Sequence, residues 1–325
     1  MAAWRIVFMG TPEFAEPSLA ALLDGDDSVV GVFTQPDRKV GRGMKMKPPP
    51  IKRLLMEHAE GGDIPVFQPG RLRDSEPLEA LKRLKPDLVV VAAYGQILSK
   101  EVLGTPRYGC LNVHASILPR WRGAAPIHRA LLAGDEQIGV TIMGMDEGLD
   151  TGPMFSKRSI AVPSGMTGGE AHDRMAALGA ELLMETLPDI KDGSVIPETQ
   201  PEHGVTYAHK LSRDDSWIDW QRPAAEIRRQ IDALDPWPSG QTLWKGKPLK
   251  LFTPKPMAGS GAAPGEVTAL HKDGFEVACG DGSLLITGVQ AAGKRRMLAS
   301  DWLRGRALKV GEQFEMSAGG GDKIS

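Results

Sequence analysis

Residues 88–93 read Leu-Val-Val-Val-Ala-Ala, an unbroken apolar run in which neither face of a strand would carry a polar side chain. Such a strand has to be buried on both sides, as in a parallel sheet covered by helices. Segments of the same kind lie to either side. Trp4–Met9 (WRIVFM) ends in Gly10-Thr11-Pro12 and leads into a helical pattern from Glu13 to about Leu23. Ser28–Thr34 and Ile64–Gln68 read as further strands, followed by a helix over Pro77–Lys85. After Leu88–Ala93 and a short helix come Gly109–His114, a helix around Pro126–Ala133, and Gly139–Met145. This alternation predicts an α/β domain over residues 1–195, a doubly wound, Rossmann-like parallel sheet.

The periodicity changes near residue 195. The polar stretch Ile196–His209, with Pro197, Pro201 and Gly204, reads as a linker at 196–210. Over 211–325, a helix around Ala224–Ala233 precedes short strand-like runs: Gln241–Leu243, Leu249–Phe252, Gly265–Leu270, Phe275–Cys279 and Leu284–Val289. Their spacing and Gly/Asp turns predict a smaller β-barrel of the OB-like type. The tail from Ser317 is expected to be disordered.

At 325 residues, two domains are the natural expectation, and 41% hydrophobic with 25% charged residues is a soluble globular profile. No apolar run approaches the roughly 18 residues that cross a bilayer. The N-terminus lacks the apolar core and small-residue cleavage site of a secretory signal. Cys110 and Cys279 are far apart, with no metal-ligand cluster around them, so reduced buried thiols, no metal and a cytoplasmic home are expected. Nothing in the sequence asks for an oligomer, and a monomer is expected.

Net charge is only −2, but it is unevenly spread. Residues 35–53 carry seven basic side chains (Arg38, Lys39, Arg42, Lys45, Lys47, Lys52, Arg53) against the single acid Asp37. A basic loop on an otherwise acidic domain suits a polyanionic partner, although a merely solvated loop has the same composition.

Gly10-Thr11-Pro12 is not the GxGxxG of a dinucleotide site, and Thr34-Gln35-Pro36 stands where an acidic residue would close the second strand. The denser signal is Gly109–Pro126, GCLNVHASILPRWRGAAP. Asn112 and His114, two apart on a strand, leave on the same face at its carboxyl end, where open α/β sheets place ligands. Polar side chains there need partners, from protein or from ligand. The acidic loop Met145–Gly152 follows the next strand, and Asp150 suits a third member, with Asp146 and Glu147 as rivals. An Asn, a His and an Asp without a serine or cysteine nucleophile suit direct acyl transfer: Asn as oxyanion donor, His as a cationic or neutral donor, Asp as the charge that sets the state of the histidine.

With its Asn-x-His pair and the SxLPxxRG run at Ser116–Gly123, this segment resembles the signature of the formyltetrahydrofolate-dependent formyltransferases. The resemblance covers roughly residues 4–315. It implies Asn112, His114 and Asp150 as catalytic residues, 10-formyltetrahydrofolate as donor, and Ser116, Ile117, Leu118 and Pro119 as the stretch bordering the folate. Thr34–Lys47, Val91–Gln96, Arg120–Ile127 and Asp235-Pro236-Trp237-Pro238 resemble the branch whose acceptor is methionine on initiator tRNA. In that branch Arg42 matches an arginine that wedges into the acceptor stem, with Lys45 and Lys47 beside it. Lys245, Lys247, Lys250 and Lys294-Arg295-Arg296 are candidates for the stem's flank. A sugar-nucleotide formyltransferase would use the same three catalytic residues but leaves the basic loop unexplained. An RNA-binding protein without catalysis leaves the Asn, His and Asp unexplained.

Overall fold

The computed structural model describes residues 3–40, 44–259, 261–305 and 308–315. Arg42 and the tail from Ser317 lie outside them. The chain forms two compact units, Met1–Pro126 with Gln137–Ala161 and His172–Ala208, and Ile127–Glu136 with Val162–Ala171 and His209–Ser325.

In order, the elements that build the first unit are β1 (Arg5–Gly10), α1 (Glu16–Leu23), β2 (Ser28–Phe33), β3 (Arg38–Val40), β4 (Lys45–Lys47), α2 (Pro50–Glu57), β5 (Val66–Phe67), α3 (Ser75–Arg83), β6 (Leu88–Ala92), α4 (Lys100–Leu103), β7 (Cys110–His114) and β8 (Arg122–Gly123). After α5 (Pro126–Ala133), which beyond Pro126 belongs to the second unit, come β9 (Gln137–Gly144), β10 (Met154–Ala161), α6 (Gly168–Asp192, of the first unit from His172) and β11 (Tyr207–Ala208). The main sheet runs β10-β9-β7-β6-β1-β2-β5. The five strands from β7 to β5 are parallel, and every residue of β6 is buried, as its composition requires. The order reverses beside β1, which opens a crevice at the carboxyl ends of β1 and β6.

The far edge differs from an all-parallel sheet. β9 runs antiparallel to β7, and β10 antiparallel to β9. From Ser156 on, β10 alternates half-buried and exposed residues, the pattern of a strand solvated on one face, which a search for wholly apolar runs does not find.

Strand parity places the site. Met9, Val91, Asn112 and Met143 are successive partners in one row across the sheet, so Asn112 stands where its neighbours are apolar. On that face Leu81 of α3 and Val102 of α4 pack with Val7, Val89 and Cys110. On the other face α6 comes close enough that a Cβ at Gly179 would lie 2.7 Å from Val113.

The second unit adds α7 (Ala224–Ala233), β12 (Gln241–Trp244), β13 (Lys247–Met257), β14 (Val267–Leu270), β15 (Phe275–Ala278), β16 (Ser283–Ala291), β17 (Met297–Leu298) and α8 (Ala299–Arg304). Its antiparallel sheet runs β12-β13-β16-β15-β14, with β17 beside β16. Residues 312–315 bond to both edges: Leu243 and Glu315 exchange backbone hydrogen bonds, and Val267 N–H donates to the Glu312 carbonyl. The sheet is thereby curled into the expected small barrel around Phe275, Trp302, Phe314 and aliphatic neighbours. Cys110 and Cys279 are free and buried, and burial pushes both thiols up to about 12. No helix among the described residues is long and apolar enough to cross a membrane.

Residues 196–208 do not hang free between the units. Glu198 pairs with Met154, Gln200 is buried, and β11 runs parallel to β8.

Candidate active site

Asn112 and His114 occupy the last turns of the β7 pleat, and the loop after β9 brings Asp150 to them. The Asn112 amide Nδ2 lies 3.5 Å from Asp150 Oδ1, and His114 Nδ1 lies 3.8 Å from Asp150 Oδ2. The second distance is beyond a hydrogen bond and the first at its limit, so the trio is assembled but not clamped. Substrate has room to tighten it. The Gly123 N–H donates to Asp150 Oδ2 at 2.7 Å and fixes that oxygen.

The tautomer of His114 follows from its other contact. Nε2 is 3.1 Å from the Trp121 carbonyl, which can only accept, so Nε2 carries a proton and Nδ1 is the nitrogen that faces Asp150. Burial of His114 to 5% exposure keeps bulk water from competing for it.

The three acids of the loop after β9 have separate places. Asp146 Oδ1 accepts from Gly148 N–H at 3.0 Å and from the Thr151 hydroxyl at 2.6 Å, so it shapes the turn. Glu147 pairs with Lys100 at the surface. Asp150 alone of these reaches Asn112 and His114, and its backbone is left-handed, with φ of 52°.

Ser116–Pro119 turns out of β7 beside this trio. Ser116 is buried and its hydroxyl donates to the Arg120 carbonyl at 2.7 Å. Leu118 N–H donates to the Thr141 hydroxyl, which itself donates to the Ser116 carbonyl. Leu118 packs on Met143 and Met154, and the peptide bond to Pro119 is cis. These polar groups are spent on the turn, so the stretch offers shape and the half-buried Ile117 more than hydrogen bonds.

In the basic segment, β3 and β4 pair antiparallel, with Arg38 opposite Lys47 and Val40 opposite Lys45, where the sequence suggested an irregular loop. Lys45 and Lys47 are exposed, as are Met44 and Met46. The base of this ribbon is bracketed: Lys52 donates to Asp37 at 3.0 Å and to Gln68 at 2.8 Å, and Gln68 donates to Asp37 at 2.7 Å. Hydrogen bonds from Gln68 and then Lys52 hold the Asp37 carboxyl below the usual range. Arg53 pairs with Glu16. Lys52 and Arg53 therefore serve the protein itself, and Arg38 donates to the Gln35 side chain at 3.4 Å.

The candidates on the second unit divide in the same way. Arg296 bonds both oxygens of Asp235 and lies over the Phe252 ring, Lys250 donates to the Pro238 carbonyl, and Lys245 pairs with Glu312. Lys247, Lys294 and Arg295 are exposed.

Three groups at the site were not found from sequence. Trp121 acts through its carbonyl, Gly123 through its N–H, and Gln200 lies in a stretch that reads as a linker. Only Gly123 leaves a trace: its φ is 117°, and a Cβ there would sit 2.8 Å from the Ala208 carbonyl oxygen.

A two-domain chain with this fold and an Asn-His-Asp trio at the sheet's carboxyl edge matches the formyl transferase family model over residues 4–187 and the formyl transferase C-terminal domain over residues 210–307. The chain belongs to that family and stands with its methionyl-tRNA formyltransferases. It is 58% identical to the methionyl-tRNA formyltransferase of Magnetococcus marinus, over 97% of this chain and 99% of that protein. It is 51% identical to the enzyme of the same name from Halorhodospira halophila, over 96% of this chain and all of that one. Among solved structures, an N-formyltransferase from Helicobacter canadensis in complex with folinic acid and dTDP-3-aminofucose shares the fold. It superposes with a TM-score of 0.66 at 16% identity, over 89% of this chain and 99% of that one.

Proposed function

We propose that this chain transfers the formyl group of 10-formyltetrahydrofolate to the α-amino group of methionine on initiator tRNA, giving formylmethionyl-tRNA for translation initiation. The observation that carries the reading is the Asp150 carboxylate set between Asn112 Nδ2 and His114 Nδ1 at the end of β7.

The neutral methionyl amine attacks the formyl carbon, and the carbonyl oxygen takes up negative charge. Asn112 donates its amide N–H to that oxygen, an interaction worth several kcal/mol in a site of this kind. His114 receives or delivers a proton at Nδ1 while Trp121 holds Nε2, and Asp150 stabilises the imidazolium and accepts toward the ammonium that forms. The amine proton leaves by this pair, the new C–N bond is kept, and the bond to the folate nitrogen breaks as that nitrogen is reprotonated. The donor lies at the carboxyl ends of β6 and β7. Ser116–Pro119 borders it, and the backbone of 88–96 and 139–150 holds the pterin. The reaction needs no metal and no covalent enzyme intermediate.

The β3–β4 ribbon suits the tRNA. A two-stranded ribbon carrying Lys45 and Lys47, with Arg42 between its strands in sequence, presents cations to a phosphate backbone. In this reading residues 1–195 are the catalytic domain, 196–210 connects, and 211–325 is the tRNA-binding barrel, using Lys247, Lys294 and Arg295. The protein acts as a monomer in the cytoplasm. The deciding assay supplies 10-formyltetrahydrofolate with either methionyl initiator tRNA or a dTDP-amino sugar. Formylmethionine in the first tube supports the reading, and formyl sugar alone overturns it.

A further inference from the structure

We infer that Gln200 is a positioning residue that sets Asp150, with Arg122 as its anchor; this rests on the reading of Asp150 as part of the formyl-transfer site. Gln200 is 7% exposed, and all of its amide is engaged. Its Oε1 accepts from Arg122 Nε at 3.0 Å and Nη2 at 2.7 Å. Its Nε2 donates to the carbonyls of Asp150 and Gly152, both at 2.8 Å. Chemistry fixes this orientation, because a guanidinium only donates and the two carbonyls only accept.

The carbonyls belong to a turn that needs holding. Asp150 is left-handed without being glycine, with φ of 52°, a conformation that is unfavourable for a side-chain-bearing residue and persists only where the surroundings over-determine it. Gly152 is pressed so close to β9 that a Cβ would sit 1.9 Å from the Gly144 carbonyl oxygen. On the other side, Arg122 is paired in β8, and the next residue, Gly123, donates its N–H to the Asp150 carboxylate. Gln200 therefore links the strand that grips the Asp150 side chain to the backbone that carries it. Nothing in the amide touches the reacting atoms. It acts by fixing where the carboxylate stands relative to His114 and Asn112.

The rival account is that Gln200 merely satisfies a buried arginine. Gln200→Glu separates the two. The carboxylate keeps an acceptor for Arg122 but loses both N–H donors and turns an oxygen on the carbonyls of 150 and 152. The charged pair gained with Arg122 offsets the two lost N–H donors, so the expected result is a Tm close to wild type with kcat lowered about 10- to 100-fold, the scale of losing alignment at a site, and KM for tRNA and folate within about twofold of wild type. Gln200→Met, which removes both functions, should lower kcat and Tm together. Wild-type kcat in Gln200→Glu overturns the inference, as does a fall in Tm that parallels its loss of activity. Asp150→Asn in the same assay separates the two levels. If it is active, the proposed site itself fails. If it is inactive beside a fully active Gln200→Glu, only the positioning role fails.

Discussion

The backbone N–H of Gly123 donates to Asp150 Oδ2 at 2.7 Å, and the same oxygen lies 3.8 Å from His114 Nδ1. One carboxylate oxygen is thus pinned by backbone, and the side chain cannot swing away from the histidine without giving up a charge-assisted hydrogen bond. The other oxygen is left for Asn112. A single acid so placed, between an amide donor and an imidazole whose tautomer is set by the Trp121 carbonyl, has the geometry of a proton-handling group.

From this follows the first prediction. Asn112→Ala should lower kcat by on the order of 10²–10³-fold, the usual loss for one oxyanion-directed donor, and His114→Ala by on the order of 10²–10⁴-fold, the usual loss for a general acid–base group. Asp150→Asn should be at least as damaging. Asp146→Asn, which alters only a turn, should stay within about tenfold of wild type, the scale of one lost surface-turn hydrogen bond. Steady-state kinetics on the four variants checks this, and an active Asp150→Asn beside an inactive Asp146→Asn would reverse the assignment.

The ribbon is tested by salt. Affinity for tRNA should fall steeply with ionic strength, and each lysine removed from 45 or 47 should reduce the log–log slope by roughly 0.7–0.9. Arg42→Ala should cost more than Lys45→Ala or Lys47→Ala, and Arg42→Lys should still show a clear defect, because a planar guanidinium stacks and bonds bidentately where an ammonium cannot. If Arg42→Lys matches wild type in kcat/KM for charged tRNA, only its charge is used.

Lys52 should behave differently from its basic neighbours, since it bonds Asp37 and Gln68 and not solvent alone. Lys52→Met and Asp37→Asn should both raise KM for tRNA, although one removes a positive charge and the other a negative one. A charge-only role would move them in opposite directions. The Asp37 carboxyl is held below its ordinary value, so its contribution to ordering the ribbon is present above about pH 4 and is lost as pH falls through its lowered folded value. Amide exchange over 38–47, followed from pH 7 down to 3, measures this.

Asp232, in α7, has the opposite sign. Burial pushes its carboxyl up to about 6; Arg228, 3.9 Å away, pulls it down, and Asp235 and Glu170 add to the rise. The folded state binds this proton more tightly than the unfolded one. The stabilising contribution is therefore full below about pH 4 and is lost as pH rises through about 6. Asp232→Asn should be more stable than wild type at pH 8, by an amount on the order of 1–3 kcal/mol, with the gap closing toward pH 4. Denaturant unfolding followed by tryptophan fluorescence is suited to this, because five of the seven tryptophans lie at or beyond residue 217. A gap that persists unchanged at pH 4 would disprove it.

The buried parallel strands were legible because an apolar run such as Leu88–Ala92 has no other comfortable environment, and the row it joins puts Asn112 and His114 on one face by parity alone. Sequence therefore determined the parallel strands of the sheet, the barrel and the shared face of Asn112 and His114, but not the antiparallel edge made by β9 and β10. It did not choose among Asp146, Glu147 and Asp150, which share one loop and one chemistry; only the chain's path decided which carboxylate reaches the histidine. Nor did it find Gln200, whose neighbourhood of Pro, Gly and polar residues reads as a linker. The groups that complete the site are a carbonyl at Trp121, an N–H at Gly123 and an amide at Gln200, 50 residues from the backbone oxygen it holds. Backbone groups carry no side-chain signature, and a hydrogen bond across 50 residues has no local period, so these were settled only when the fold closed.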